Sequence, residues 1–288
     1  MEVKVERTSY VSWNILKEII PTEYLEYIKT ECINERHITV YTAGEEGKDA
    51  SGYLVLTPVH HSADMYEIAH MQVALEDARC HVGSALIDSV AEDLKRNRIK
   101  SLCLSYDTED GVPEAFFKVN GFENKSTFIV QKYNVGQLFD SVAHEKAEVI
   151  AAKKHFKSYD ELSRVEKASL VNDYKLTINA GNKDNLRFLV LNDKIIAMNG
   201  IYHMDERIVL DDILIFDYSM IREIVLFIWS YFVEYVCDTY ENENYSMAEI
   251  VAPTIKYEEA SLKLIGDPVG KTIKQKMVLD FTDKNGIK

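Results

Sequence analysis

One order of apolar patterns runs through this chain twice, and that repetition limits the fold more than any single motif does. His37–Thr42 and Tyr53–Val59 are rich in β-branched and aromatic residues, as strands are, with a polar, turn-like Gly44–Gly52 between them. Tyr66–Leu75 reads as a long strand, and from Gly83 the residues Ala85, Leu86, Val90 and Leu94 recur at helical spacing. Ser101–Tyr106 is a short strand, Pro113 opens a helix that Gly121 stops, and Thr127–Tyr133 closes the first round. The second round gives strands at Leu186–Leu191 and Lys194–His203 around an Asn192-Asp193 turn, then a strand at Ile208–Phe216. A helix over Ile221–Tyr240, a strand at Ala248–Ala252, a helix over Tyr257–Leu264 stopped by Gly266 and a strand at Lys276–Phe281 complete it. Matching positions lie at a near-constant distance. Ile196 follows Tyr53 by 143 residues, Ile208 follows Tyr66 by 142, Gly266 follows Gly121 by 145 and Met277 follows Phe128 by 149. The pattern predicts two copies of one α/β unit, residues 1–135 and 136–288. Val3–Glu6 adds a strand, two amphipathic helices surround Trp13–Ile20 and Tyr24–Cys32, and Gly136–Ala180 reads as helical and charged.

Composition narrows the function. With 47% hydrophobic residues, 28% charged and only 5 Pro, the chain is globular. Its 47 acidic against 33 basic residues give a net charge of −14. That balance disfavours nucleic acid and anionic membrane surfaces, which attract basic faces, and favours cationic or amine partners. The cysteines Cys32, Cys80, Cys103 and Cys237 form no C-x-x-C pair, and the adjacent His60-His61 lacks ligand spacing, so no metal site is expected. The start is too polar for a signal peptide, and the uncharged apolar run Ile224–Val233 has ten residues, against about 20 for a membrane span. It reads as a buried core helix, and the scattered thiols suit a cytoplasmic protein.

The most informative stretch is Val73-Ala74-Leu75-Glu76-Asp77-Ala78-Arg79-Cys80-His81-Val82-Gly83-Ser84-Ala85-Leu86. A strand ends and a helix begins within it. The leading amides of a helix lack intrahelical acceptors and carry partial positive charge, so such a junction can hold a pyrophosphate. Gly83 permits close backbone approach, Ser84 offers a hydroxyl, and Arg79 offers a cation.

On these residues the first half resembles the GNAT superfamily of acyl-CoA-dependent N-acetyltransferases, whose loop carries a Q/R-x-x-G-x-G/A motif. Aligned on Gly83, Ala78 takes the motif's first position and His81 that of its first glycine. Ala115-Phe116-Phe117-Lys118-Val119-Asn120-Gly121-Phe122 is similar to the family's helix ending in Gly-Phe. There Phe117 takes the place of a tyrosine that protonates the departing thiolate. The resemblance implies tandem GNAT-like domains, each a mixed, mostly antiparallel sheet flanked by helices. It implies acetyl-CoA as co-substrate, held by Arg79, Cys80, His81, Val82, Gly83, Ser84 and Ala85, with Phe117 nearby and the carbonyl polarised by backbone N–H groups of Met71–Val73. It also implies a carboxylate or water base on the strand before the loop, where Glu67 and His70 stand. Being three apart, these two are expected on opposite faces. The second half lacks a junction glycine, has Asp217 where phosphate would lie, and has Leu262 in the tyrosine position. It reads as a degenerate copy. The expected activity is acyl transfer to a small amine or peptide amine. The lost tyrosine and glycine leave an impaired acyl-CoA-binding or interaction module as the alternative. Acceptor and oligomeric state are not encoded in any readable pattern.

Overall fold

The computed structural model describes residues 3–9, 38–45, 50–59, 62, 64–74, 80–108, 114–144, 155–176, 178, 183–204, 207–240 and 245–282. The early helices expected around Trp13 and Tyr24, His60-His61 and Arg79 lie outside them. The chain divides into two compact units, Met1–Ser126 with Gln275–Lys288, and Thr127–Lys274.

The sheet of the first unit contains β1 (Val3–Ser9), β2 (Thr39–Glu45), β3 (Gly52–Pro58), β4 (Met65–Val73) and β5 (Ser101–Asp107) in chain order. β1 to β4 are antiparallel neighbours, and β4 runs parallel to β5. β3 is buried along nearly its whole length, as its unbroken Tyr-Leu-Val-Leu run demands of a strand covered on both faces. Helix α1 (Val82–Arg96) returns over one face of the sheet. Its Val82, Leu86, Ile87, Val90 and Leu94 are buried with Leu54, Leu56, Ile68, Leu102 and Leu104 in one core. Helix α2 (Glu114–Val119) adds Phe117 to that core and ends at Gly121, whose φ of 88° is left-handed.

In the second unit, the last eight residues of β6 (Glu123–Asn134) begin a sheet that continues through β11 (Met247–Ala252), β10 (Arg207–Ile215), β9 (Lys194–Met204), β8 (Leu186–Leu191) and β7 (Phe156–Ser158). The Asn192-Asp193 turn joining β8 to β9 has both residues at positive φ, 49° and 60°, which suits a tight hairpin. The region expected to be helical from Gly136 instead holds short α3 (Val135–Phe139), β7 and α4 (Arg164–Asn172) among its described residues. Helix α5 (Ile221–Tyr240) is the buried core helix its apolar run implies, and its fully buried Trp229 donates to Ser261 Oγ of α6 (Ile255–Leu264) at 2.6 Å. No described helix is long and apolar enough to cross a membrane.

The boundary expected at 135/136 shifts for a topological reason. β6, the last strand of the first repeat, pairs antiparallel with β11 from Asn134↔Met247 to Ile129↔Ala252, inside the second unit. The last strand of the second repeat, β12 (Gly270–Asp280), returns from Gln275 onward to the first unit. There it neighbours β5, and its Met277 is fully buried in the first unit's core. Each repeat thus lends its closing strand to the other unit's sheet. Apolar alternation marks a strand but not the sheet it joins.

Candidate functional site

The site is built where β4 parts from β5. The two strands pair through Met65↔Ser101, Tyr66↔Leu102 and Glu67↔Cys103. β4 then runs on to Val73 and β5 to Asp107 without another row between them. The parting begins at a β-bulge, because β3 pairs Leu56 with Ile68 and Val55 with His70, leaving Ala69 extra. A bulge bends its strand. Beyond it a wedge opens, and the β4 backbone groups that face β5 have no strand partner there.

The bulge also corrects the expected facing of the two base candidates. One extra residue reverses the alternation that follows it. Glu67 opposes Thr57 and His70 opposes Val55, so both side chains fall on the same face of the sheet. Tyr53 and Gln72 share that face. The Tyr53 hydroxyl donates to Gln72 Oε1 at 3.2 Å, and the Tyr53 ring lies 5.7 Å from the His70 imidazole. Burial pushes the His70 pKa below its ordinary value of 6.5, against the opposing effect of a hydrogen bond with Gln72. The imidazole is therefore neutral near pH 7 and able to accept a proton. Cys103 belongs to this face as well. Burial, with the nearby Glu67 charge, pushes its thiol up to about 12, so it is no nucleophile at neutral pH.

Met71 and Val73 point to the other face, toward α1, and pack on the core. At the start of α1, His81 is the N-cap with φ 62° and makes no side-chain cap. The first α1 hydrogen bond runs from the Ala85 amide to the His81 carbonyl at 2.9 Å. The amides of Val82, Gly83 and Ser84 precede it, and the first turn carries no acidic residue. The left-handed backbone at His81 is one that glycine adopts freely, which accounts for glycine at this place in the motif. Here the conformation is kept with a histidine in it. Cys80, Ser84 and Ala85 are half-buried and His81 is exposed, while Val82 and Gly83 turn inward.

Gly83 answers to packing. A Cβ there would stand 2.9 Å from Phe116 Cζ and 3.2 Å from Met71 Cε. What approaches its α-carbon is therefore an aromatic ring and a methyl group. Phe117 lies deeper, 6% exposed and edge-on to Phe116 and Phe122 at 5.2 and 5.5 Å. Phe116 is the ring that touches the α1 turn, and sequence reasoning passed over it. Two consecutive helical residues point about 100° apart, and only tertiary packing tells which of them faces the turn.

The second unit repeats the scaffold with different chemistry. β10 and β11 pair through four rows, Arg207↔Met247 to Leu210↔Ile250, and then stop. A bulge follows between Asp211 and Leu214, with Asp212 at φ 51°. Asp212 follows Ala69 by 143 residues, the same distance that separates Ile196 from Tyr53. At the junction beyond, Asp217 caps a single 3₁₀ turn, Tyr218–Met220. Its carboxylate accepts from the Ser219 amide at 2.9 Å and from the Ser219 hydroxyl at 2.5 Å, and these bonds hold its pKa below 3.8. Leu262 is 38% exposed. Among the described residues of the chain, no group of three His, Cys, Asp or Glu side chains is placed to hold a metal.

Solved structures share this fold. A tandem GNAT protein from the clavulanic acid biosynthesis pathway covers 97% of this chain and 100% of its own, at 12% identity and TM-score 0.53. This chain has a tandem GNAT fold. A GCN5-related glucosamine N-acetyltransferase region of a fungal multi-domain β-N-acetylglucosaminidase matches 96% of the chain over 38% of its own length, at 9% identity and TM-score 0.57. No family profile and no curated protein matches the sequence. The likeness is one of fold, two GNAT-type units in one chain; among the described residues, the α1 turn has no side-chain cap and the Tyr218–Met220 turn is capped by Asp217.

Proposed function

We propose that the first unit is an acyl-CoA-dependent N-acyltransferase acting on a small amine or peptide amine. The observation that carries the reading is the β4–β5 wedge running up to the leading amides of α1. Acetyl-CoA, as co-substrate, supplies an acyl group already activated as a thioester. Its diphosphate suits the Cys80–Ala85 turn, where the helix end carries partial positive charge and its first turn holds no acidic residue. Its thioester suits the wedge, where β4 backbone amides beyond the last row shared with β5 can polarise a carbonyl as an oxyanion hole does. Glu67 and His70 lie on the opposite face of β4 from Met71 and Val73. Donor and acceptor therefore approach the wedge from opposite sides. His70, held neutral, is suited to take the proton from the attacking amine. The net charge of −14 suits an amine acceptor rather than nucleic acid or an anionic membrane.

Calorimetry with CoA and acetyl-CoA, followed by mass spectrometry of an amine panel with thiol release monitored, tests this reading. Binding with acylated product is the expected result, and absence of both overturns it. A second reading, an acyl-CoA-binding module without turnover, is favoured by one observation: Phe117, in the position of the family's tyrosine, is an apolar ring in the core. Tight CoA binding with no acylated product would select it.

A further inference from the structure

The sheet face that carries His70 also holds Tyr53 and Gln72, to which the proposed transfer gives no part. Register and pleat bring the three together. Tyr53 stands directly opposite Gln72, and His70 precedes Gln72 by two residues on the same face. Such spacing sets Cβ atoms about 5 Å apart across the strands and about 7 Å apart along β4. Without the bulge at Ala69, His70 would fall outside this set. The Tyr53 hydroxyl donates to Gln72 Oε1 at 3.2 Å, and the tilted Tyr53 ring lies 5.7 Å from the imidazole. Gln72 also hydrogen-bonds His70, and that bond favours the charged ring. A bond of this sign is one in which the ring N–H donates, and an amide oxygen has lone pairs for two donors. Gln72 Oε1 therefore receives the Tyr53 hydroxyl from β3 and the His70 N–H from its own strand.

We infer that Gln72 is a positioning residue for His70: its amide oxygen, itself held by Tyr53, keeps one imidazole nitrogen protonated and leaves the other to take the proton of the attacking amine. The inference rests on the acyltransferase reading. A neutral imidazole has one donor and one acceptor nitrogen, and its hydrogen bonds decide which is which. Fixing the donor at Gln72 fixes the acceptor too, on the stretch of β4 past its last row with β5. In the step, the amine nitrogen bonds to the thioester carbon and the C–S electron pair leaves on sulfur. The amine proton passes to the unprotonated ring nitrogen. The imidazolium gives a proton to solvent and the thiolate takes one from it, so nothing else is consumed. The other titratable side chains of this face are Tyr53, Glu67, Cys103 and Asp107, with Lys276 of β12 near Cys103. All of them are unchanged in a Gln72 variant, so its effect on the ring reads the Gln72 bond.

The test uses Gln72→Leu, Gln72→Glu and Tyr53→Phe in the full chain with isotope-labelled histidine, His70 being assigned by the signals that His70→Gln lacks. Nitrogen–proton couplings read the tautomer with no substrate present. Wild type should show one tautomer. Gln72→Leu keeps the size without the acceptor. It should average the two ring nitrogens and lower turnover about five- to ten-fold, with CoA affinity unchanged. Tyr53→Phe should move the same signals the same way by less. Gln72→Glu keeps an acceptor and adds a charge, so the tautomer should stay fixed. The His70 midpoint, and the acid limb of the turnover profile with it, should rise by about one pH unit. Averaged nitrogens in wild type, an unchanged tautomer in Gln72→Leu or an unmoved midpoint in Gln72→Glu overturns the positioning role and leaves the transferase reading intact. A wild-type protein that shows the fixed tautomer yet never releases thiol overturns the transferase reading, and with it the use of the ring as a base.

Discussion

The two strand-to-helix junctions of this chain start from one backbone plan and end in opposite chemistry. In each unit a bulged strand parts from its parallel neighbour and turns into the helix that covers the sheet. In the first, the leading amides of α1 follow an N-cap with no side-chain cap, held left-handed at His81. In the second, Asp217 spends its carboxylate on the equivalent turn. A carboxylate there satisfies the same donors that a phosphate would, and repels the phosphate as well. The comparison teaches that one acidic side chain can occupy the donors of such a junction while the architecture around it is left whole.

The sharpest way to break this contrast is at the proposed base. His70→Gln should lower turnover by about 10²–10⁴-fold with little change in CoA affinity, whereas Asp217→Asn in the other unit should leave turnover unchanged; steady-state kinetics beside calorimetry read both. The His70 pH dependence has a definite sign. Its folded pKa lies below 6.5, so the unfolded chain binds more protons below that value, and stability falls on acidification from about 6.5 until the lower folded pKa is passed. Denaturant titrations over that window should show the slope in wild type and its loss in His70→Gln.

Gly83→Val should be the next largest effect. The new Cβ meets Phe116 and Met71, an overpacking that costs about 1–3 kcal/mol. Phe116→Ala combined with it should recover part of the loss; an unchanged midpoint in the single variant would mean that the ring swings away freely. His81→Gly should be smaller and of the opposite sign. It removes left-handed strain of roughly 1–2 kcal/mol but returns some entropy to the unfolded chain, for a net gain of up to about 1 kcal/mol. Thermal melts check it, and CoA affinity should hold or rise. Least of all, Phe117→Tyr should leave turnover within about two-fold, because its ring faces the core; a marked rate increase would show that this position does reach the sulfur.

Much of the fold was legible because local chemistry enforced it. Gly121 and Gly266 sit at positive φ, and the Asn192-Asp193 turn has the left-handed residues its composition called for. Helix α5 spans Ile221–Tyr240, the range its apolar periodicity marked. The rest depended on partners distant in sequence. β7 is three residues long and exists as a strand through its pairing with β8. The bulge at Ala69 has no signature in residue type, yet it decides which face His70 occupies. The strand-to-helix turn was singled out by an aligned glycine, which the structure turns inward, exposing His81 in its stead. The expected roles of Cys80, Ser84 and Ala85 depend on the same turn, and Arg79 lies outside the described residues.

The exchanged closing strands carry a consequence for how such a chain can be taken apart. A cut at the midpoint of the repeat, near residue 135, would strip the first sheet of β12 and leave β6 without β11. Each fragment would bare a row of unsatisfied peptide groups where a neighbour had been, an invitation to aggregate or to recruit the missing strand from another molecule. A division that keeps both sheets whole would have to follow the compact units rather than the repeats.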